Sequence, residues 1–222
     1  MNKEKQVKTL SIVALFVAVL GLSIGFAAFE QTLTIKSSAE VNPAGTDFNV
    51  IFSTRDDVVS TDPVNPTVTG TGATATNATI DTNSNSLIIK DLHAVFTEPN
   101  QKAQYTFYTK NTGQYTAYLK SIAYANVSGK NEPRVCTPKE TTGPNAANNT
   151  LVQAACDDIR VTVSLSGTLY TQSVAAITGH SVAVGSSEEI IVTIEYLAGG
   201  DTADGPFDVE FGDITIAYSS VN

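Results

Sequence analysis

From residue 30 onward, apolar and polar residues alternate with a period of two. Ile159, Val161, Val163 and Leu165 are separated by Arg160, Thr162 and Ser164. Such alternation puts one face of a strand in a core and the other toward solvent. Ile190, Val192, Ile194 and Tyr196 repeat it, as do Ile214, Ile216 and Tyr218. Tyr105 and Phe107 anchor AQYTFYTKN, and Tyr118, Ile122 and Tyr124 anchor AYLKSIAYAN. NVIFS, ATATNATIDT and SLIIKDLHAVF supply three shorter candidates. Turn signals separate these runs at Glu98-Pro99-Asn100, Asn111-Thr112-Gly113, Ser128-Gly129, Gly199-Gly200-Asp201 and Asp204-Gly205-Pro206. The pattern predicts an all-β fold, an antiparallel β-sandwich of short strands. One helical turn is expected in TQSVAAITGH. Residues 55–79 and the stretch between the two cysteines read as surface excursions. No internal repeat is visible, and residues 42–222 read as one domain.

The first thirty residues follow a different rule. Lys3, Lys5 and Lys8 precede an uncharged run of twenty residues, 10–29. A basic head before an apolar stretch is an export signal, here longer than the ~7–15 residues of an ordinary apolar core. It also approaches the ~20 residues that span a bilayer as a helix. Residues 1–28 are therefore expected to form a signal peptide helix, cleaved or kept as an anchor. In either case the basic flank stays inside and the rest is exported. Cleavage after Ala27 would put Gly25 at the −3 position, whereas cleavage after Ala28 would put Phe26 there. Beyond the seam comes Thr32-Leu33-Thr34-Ile35, a strand-like alternation with no linker before it.

Removing residues 1–28 takes away Lys3, Lys5, Lys8 and Glu4, and shifts the net charge from −9 to −11. This balance argues against nucleic acid, which needs clustered Lys and Arg. The chain has two cysteines, Cys136 and Cys156. In an oxidising exported setting an even count predicts a disulfide. Closing a loop of this size contributes roughly 3 kcal/mol in the chain-entropy account. Without it the polar CTPKETTGPNAANNTLVQAAC would be floppy.

Three segments together resemble the TasA/camelysin family of exported fibre-forming proteins. LSIVALFVAVLGLSIGFAAFEQTLTI is similar to signals cut by the dedicated peptidase SipW, which accepts an aromatic residue at −3. That resemblance places the cut between Ala28 and Phe29. SLIIKDLHAVFTEPNQKAQYTFYTKNTGQYTAYLKSI is similar to the family's strand, Pro-containing turn, aromatic strand and Asn-x-Gly order. Its Pro99-Asn100-Gln101 departs from the usual Pro-Gly-Asp. The third segment runs from CDDIRVTVSLSGTL to EEIIVTIEYLAGG. The resemblance implies a jelly-roll-like sandwich, secreted to the cell surface or extracellular matrix, that polymerises into biofilm-matrix fibres. It also implies an N-terminal donor strand over 29–41 that inserts into the next copy. Phe29, Thr32, Leu33, Thr34, Ile35 and Val41 carry that role. The partners implied are the chain itself head to tail, a minor anchoring subunit, and signal peptidase during export.

Two alternatives stand beside this reading. Residues 30–41 can be the first strand of their own sheet, pairing within a monomer and exchanging in a fibre. Held by an uncleaved helix, the chain can instead serve as a monomeric membrane-anchored surface adhesion or binding domain. A camelysin-like metallopeptidase is the second alternative. Common zinc peptidases need His-Glu-x-x-His on a helix. Here His93 and His180 are isolated, with no histidine partner a helical turn away. Neither G-x-S-x-G nor a phosphate-binding glycine loop occurs, so no catalytic residue, metal or cofactor is assigned. Asp201, Asp204, Asp208, Glu210 and Asp213 form an acidic stretch with hard oxygen donors but no calcium-loop spacing. Asn77, Asn126 and Asn148 begin glycosylation sequons.

Overall fold

A computed structural model describes the backbone of residues 30–35 and the chain over 48–140, 142 and 147–221. The signal peptide, the cleavage pair Ala28 and Phe29, and Val41 lie outside the described residues.

Two six-stranded sheets form the body. The first contains β1 (Glu30–Ile35), β5 (Thr79–Ile80), β6 (Ile88–Lys90), β9 (Ala117–Tyr124), β13 (Ser181–Val182) and β16 (Ile214–Ser219). Their order is β13-β9-β16-β1-β6-β5. The second contains β2 (Val50–Ser53), β3 (Thr67–Thr69), β8 (Gln101–Asn111), β11 (Ile159–Leu165), β12 (Thr168–Tyr170) and β14 (Ser187–Tyr196). Its order is β12-β11-β14-β8-β2, and β3 also pairs with β8. Every pairing in these sheets is antiparallel except β1 with β6. The fold is therefore all-β. A small ribbon of β4 (Thr74–Ala75) and β7 (Ala94–Val95) flanks the body.

Both sheets feed one apolar core. Leu119, Ile122, Ile216 and Tyr218 enter from the first, and Phe52, Tyr105, Phe107, Val163 and Ile190 from the second. Burial alternates with partial exposure along all eleven residues of β8, as the period-two pattern demands. Side-chain amides fix both ends of this strand. Gln101 Oε1 accepts the Thr97 and Glu98 N–H groups, and its Nε2 donates to Thr71 O. Asn100 takes the left-handed conformation at φ 69°, which Asn tolerates. That is how Pro99-Asn100-Gln101 makes its turn without a glycine. At the other end Asn111 Nδ2 donates to Tyr115 O and Val182 O.

These registers define two ends of the body. Asn111, Val182 and Ser219 mark an upper end, where Ser219 stands opposite Tyr118 and Val182 opposite Ala117. Gln101, Tyr124 and Tyr196 mark a lower end.

Below the lower end lies a module the sequence pattern did not resolve. β10 (Arg134–Pro138) pairs with β15 (Phe207–Phe211), and α1 (Asn149–Asp157) packs on them. The Cys136–Cys156 disulfide joins β10 to α1 with Cα atoms 5.9 Å apart. The stretch between the cysteines, read as a surface excursion, is not wholly irregular: Asn149–Asp157 are helical. Asn148 caps the helix by accepting the Thr150 N–H, and Val152, Ala155 and Cys156 form the buried face. The helical turn expected in TQSVAAITGH is absent; Val174 instead bridges Ile122. The excursion over 55–79 is not wholly irregular, since β3 and β4 lie within it. Gly212 joins the module to β16 at a point where any Cβ would collide with the Ala125 carbonyl. Among the described residues no helix is long and apolar enough to cross a membrane.

Candidate functional site

The sequence singled out 29–41. Within it, Thr32, Leu33, Thr34 and Ile35 all fall on β1, an interior strand of the first sheet. β1 runs antiparallel to β16, with six register pairs from Glu30 opposite Ser219 to Ile35 opposite Ile214. On its other side it runs parallel to β6, with Thr34 opposite Ile88 and Ile35 opposite Ile89. The strand thus pairs within the chain that carries it, the cis arrangement left open above.

The walls of this slot are apolar. Ile214, Ile216 and Tyr218 of β16 are buried, as are Ile88 and Ile89 of β6. Without β1, β16 and β6 would each present an unpaired edge beside that apolar floor. An open edge of this kind is a template for any compatible strand.

Beside the upper end of the slot lies a polar cluster that the sequence reading missed. Tyr218 stands opposite Gln31, and β16 has a register shift between Ala217 and Tyr218. Such bulges re-aim side chains. The Tyr218 hydroxyl donates to Glu188 Oε2 at 3.0 Å and lies 3.3 Å from Thr109 Oγ1. The other carboxylate oxygen of Glu188 meets His180 Nε2. That contact is an ion pair when the imidazole is protonated and otherwise a hydrogen bond to the Glu188 carboxylate. Burial, followed by the Glu188 charge, pushes the Tyr218 phenol well above its usual range. Glu188 and Thr109 belong to the second sheet and Tyr218 to the first, so the cluster ties the sheets together across the core. Strand parity carried a signal for it. Glu188 is in phase with Ile190 and Val192, Thr109 with Tyr105 and Phe107, and Tyr218 with Ile214 and Ile216.

The other candidate residues are spread apart. His93 is exposed, and its backbone carbonyl accepts the Tyr105 hydroxyl. Asp201 N–H donates to Asp158 Oδ2, Asp204 Oδ1 accepts the Asn148 N–H, and Asp208 pairs with Lys139 at 3.1 Å. Asp208 and Glu210 share the exposed face of β15, while Phe207, Val209 and Phe211 face inward. Among the described residues no three His, Cys, Asp or Glu side chains converge. Asn77, Asn126 and Asn148 are all exposed, but the Asn148 side chain serves as the cap of α1.

Comparison with protein-family models, characterised proteins and solved structures gives no match.

Proposed function

We propose that this chain is an exported, non-catalytic subunit of an extracellular or biofilm-matrix fibre. Its body is a jelly-roll-like sandwich that assembles head to tail by donating residues 29–41 to the next copy. The supporting observation is the place of β1. The first described strand fills an interior position of the sheet, and both of its ladder partners, β16 and β6, are distant in sequence. Residues 36–49 separate it from β2. Exchange between copies would recreate the same pairs, which is the condition for low-cost domain swapping.

The energetics set a constraint on this reading. Each buried aliphatic contributes roughly 1.5–3 kcal/mol, and each ladder hydrogen bond about 0.5–1.5 kcal/mol. Association and ordering cost about 4–15 kcal/mol. A strand tethered by a short linker also competes at an effective concentration of roughly millimolar. Exchange therefore needs contacts beyond the strand itself.

The test is electron microscopy of the chain starting at Phe29, with N-terminal sequencing of secreted material. Fibres are expected from that chain and soluble monomers from a chain lacking 29–41. Fibres of normal length from the truncated chain would refute the proposal. Replacing Leu33 and Ile35 with Asp is expected to abolish assembly. The cis pairing of β1 favours one second reading, a monomeric surface domain held by an uncleaved helix. Retention of Met1 on the native protein, with no fibres, would establish it.

A further inference from the structure

Two short strands outside the main sheets, β15 and β7, are paired on one edge only. β15 pairs with β10. Lys139 N–H donates to Pro206 O at one end of that ladder, and Gly212 N–H to Pro133 O at the other. These bonds fix its phase, because bonded and non-bonded positions alternate in an antiparallel pair. Thr137 with Asp208 and Val135 with Glu210 are therefore the bonded pairs. The N–H and C=O groups of Phe207 and Val209 point the other way, and they meet no partner among the described residues. β7 repeats the arrangement. Thr76 N–H donates to His93 O, so Val95 bonds to β4 while the main-chain groups of Ala94 and Phe96 turn away from it. These too lack a partner among the described residues.

The two edges border one cleft of about 640 Å³. Residues 93–97 line one side and 207–209 the other. No residue of β4 or β10 lines it, so the edges that face it are the unpaired ones. Its volume lies in the ~300–1,000 Å³ range of ligand sites. The floor is apolar: Phe96, Ile159 and Tyr196 meet there, with the Phe96 and Tyr196 rings 6.4 Å apart. Phe207 and Val209 pack their side chains on the same cluster, so the floor continues the inward face of β15. The outward face carries Asp208 and Glu210, both exposed. Lys139 pairs with Asp208 at 3.1 Å, whereas Glu210 has no counter-ion among the described residues. The five residues of β15, at about 3.4 Å each, make an edge roughly 17 Å long.

We infer that this cleft takes up a short extended segment of another protein as a third strand beside β15. The main-chain groups of Phe207 and Val209 supply the ladder, and pockets for alternate side chains supply the selectivity. Guest residues alternate between the two faces of the enlarged ribbon. Those in phase with Phe207 and Val209 rest on the Phe96 and Tyr196 rings and are apolar. Those in phase with Asp208 and Glu210 face solvent and are Lys or Arg, because opposite charges on neighbouring strands attract. The guest is thus a run of about five residues, alternately apolar and basic. An acidic guest is turned away by the same two carboxylates. The inference concerns the region below the body and does not depend on where β1 pairs.

The probe is the end-capped peptide Val-Lys-Val-Arg-Val, titrated at low salt into the chain starting at Phe29 and followed by amide hydrogen exchange. Saturable one-to-one binding is expected. Exchange at Phe207 and Val209 should slow at least about tenfold, with the amides of β16 unchanged. Val-Glu-Val-Glu-Val should bind at least about tenfold more weakly, and a fully N-methylated copy of the basic peptide should give no protection. Glu210→Lys, on the exposed face, should weaken the basic peptide at least about threefold with the melting temperature unchanged. Val209→Pro removes an N–H that points away from β10, the position where an edge strand tolerates proline, and should abolish protection at Phe207. Unprotected Phe207 and Val209 at millimolar basic peptide would overturn the inference. So would equal binding of the methylated copy, which would make the cleft a site for a compact apolar ligand. Equal binding of the acidic peptide would overturn the basic character assigned to the guest.

Discussion

The body and the disulfide module are held by different means. In the body more than twenty buried side chains from both sheets form one continuous core. In the module the buried cluster around the disulfide is only Cys136, Ala147, Val152 and Cys156, with Ala203, Phe207 and Val209 packed against it. Burial alone can hold the first. The second buries too little apolar surface to offset the ordering of its loop, so a covalent link does what packing cannot. The module leans on the body through a second small cluster, in which Ala155 meets Ile159 and Tyr196. Inside the module, Arg134 of β10 forms an ion pair with Asp157 at the end of α1, at 2.9 Å.

The sharpest way to break this contrast is to cut into the body. Phe107→Ala removes a fully buried ring from β8 and is expected to cost about 3–5 kcal/mol. Chemical denaturation should show one cooperative loss of the whole sheet signal. Replacing Cys136 and Cys156 with Ser comes next, at roughly 3 kcal/mol. Here the loss should be local: limited proteolysis is expected to cut between residues 139 and 149 while the body stays folded. A single cooperative collapse of both parts would show that the module is not a separate unit.

Alkaline titration separates the two regions by chemistry. The body carries the buried tyrosines, while residues 134–157 and 201–213 contain none. Burial raises the Tyr105 and Tyr218 phenols. A group whose folded value is raised contributes stability that is complete below its unfolded value, about 10 for Tyr. That stability is lost as pH rises through the folded value. Tyrosinate absorbance from these residues should therefore appear together with loss of sheet circular dichroism, above pH 10. Early ionisation with the sheet intact would contradict the burial. The smallest effect is expected from Arg160→Ala. It breaks a pair with Glu195 at 2.9 Å whose partners are 43% and 30% exposed, worth about 0.2–1 kcal/mol. Its melting shift should shrink further in high salt.

The contrast also explains what was legible in the sequence. Strands of the body announce themselves because one face is buried along their whole length, as in Ile159–Leu165 and Ser187–Tyr196. The module's elements do not. α1 buries only Val152, Ala155 and Cys156, too short a stripe to stand out among Asn and Thr. β15 reads as an acidic loop because Asp208 and Glu210 occupy its solvent face. The disulfide was legible from export and an even count alone. The partner of β1 was not, since which strand edges meet is decided by contacts nearly a chain length away. The Glu188 cluster could have been found from parity, yet a carboxylate in phase with Ile and Val reads as the end of a strand until Tyr218 and Thr109 are seen to receive it.

The meeting of Glu30 with Ser219 joins the first described strand to the last. A polypeptide synthesised N-terminus first therefore presents β1 long before β16 exists to receive it. Until β16 is made, the strand has only β6 beside it and lacks its longer, antiparallel partner. Long-range pairings of this kind form slowly even in a complete chain. β1 is thus made among the first of the described strands and waits for the last of them to complete its ladder.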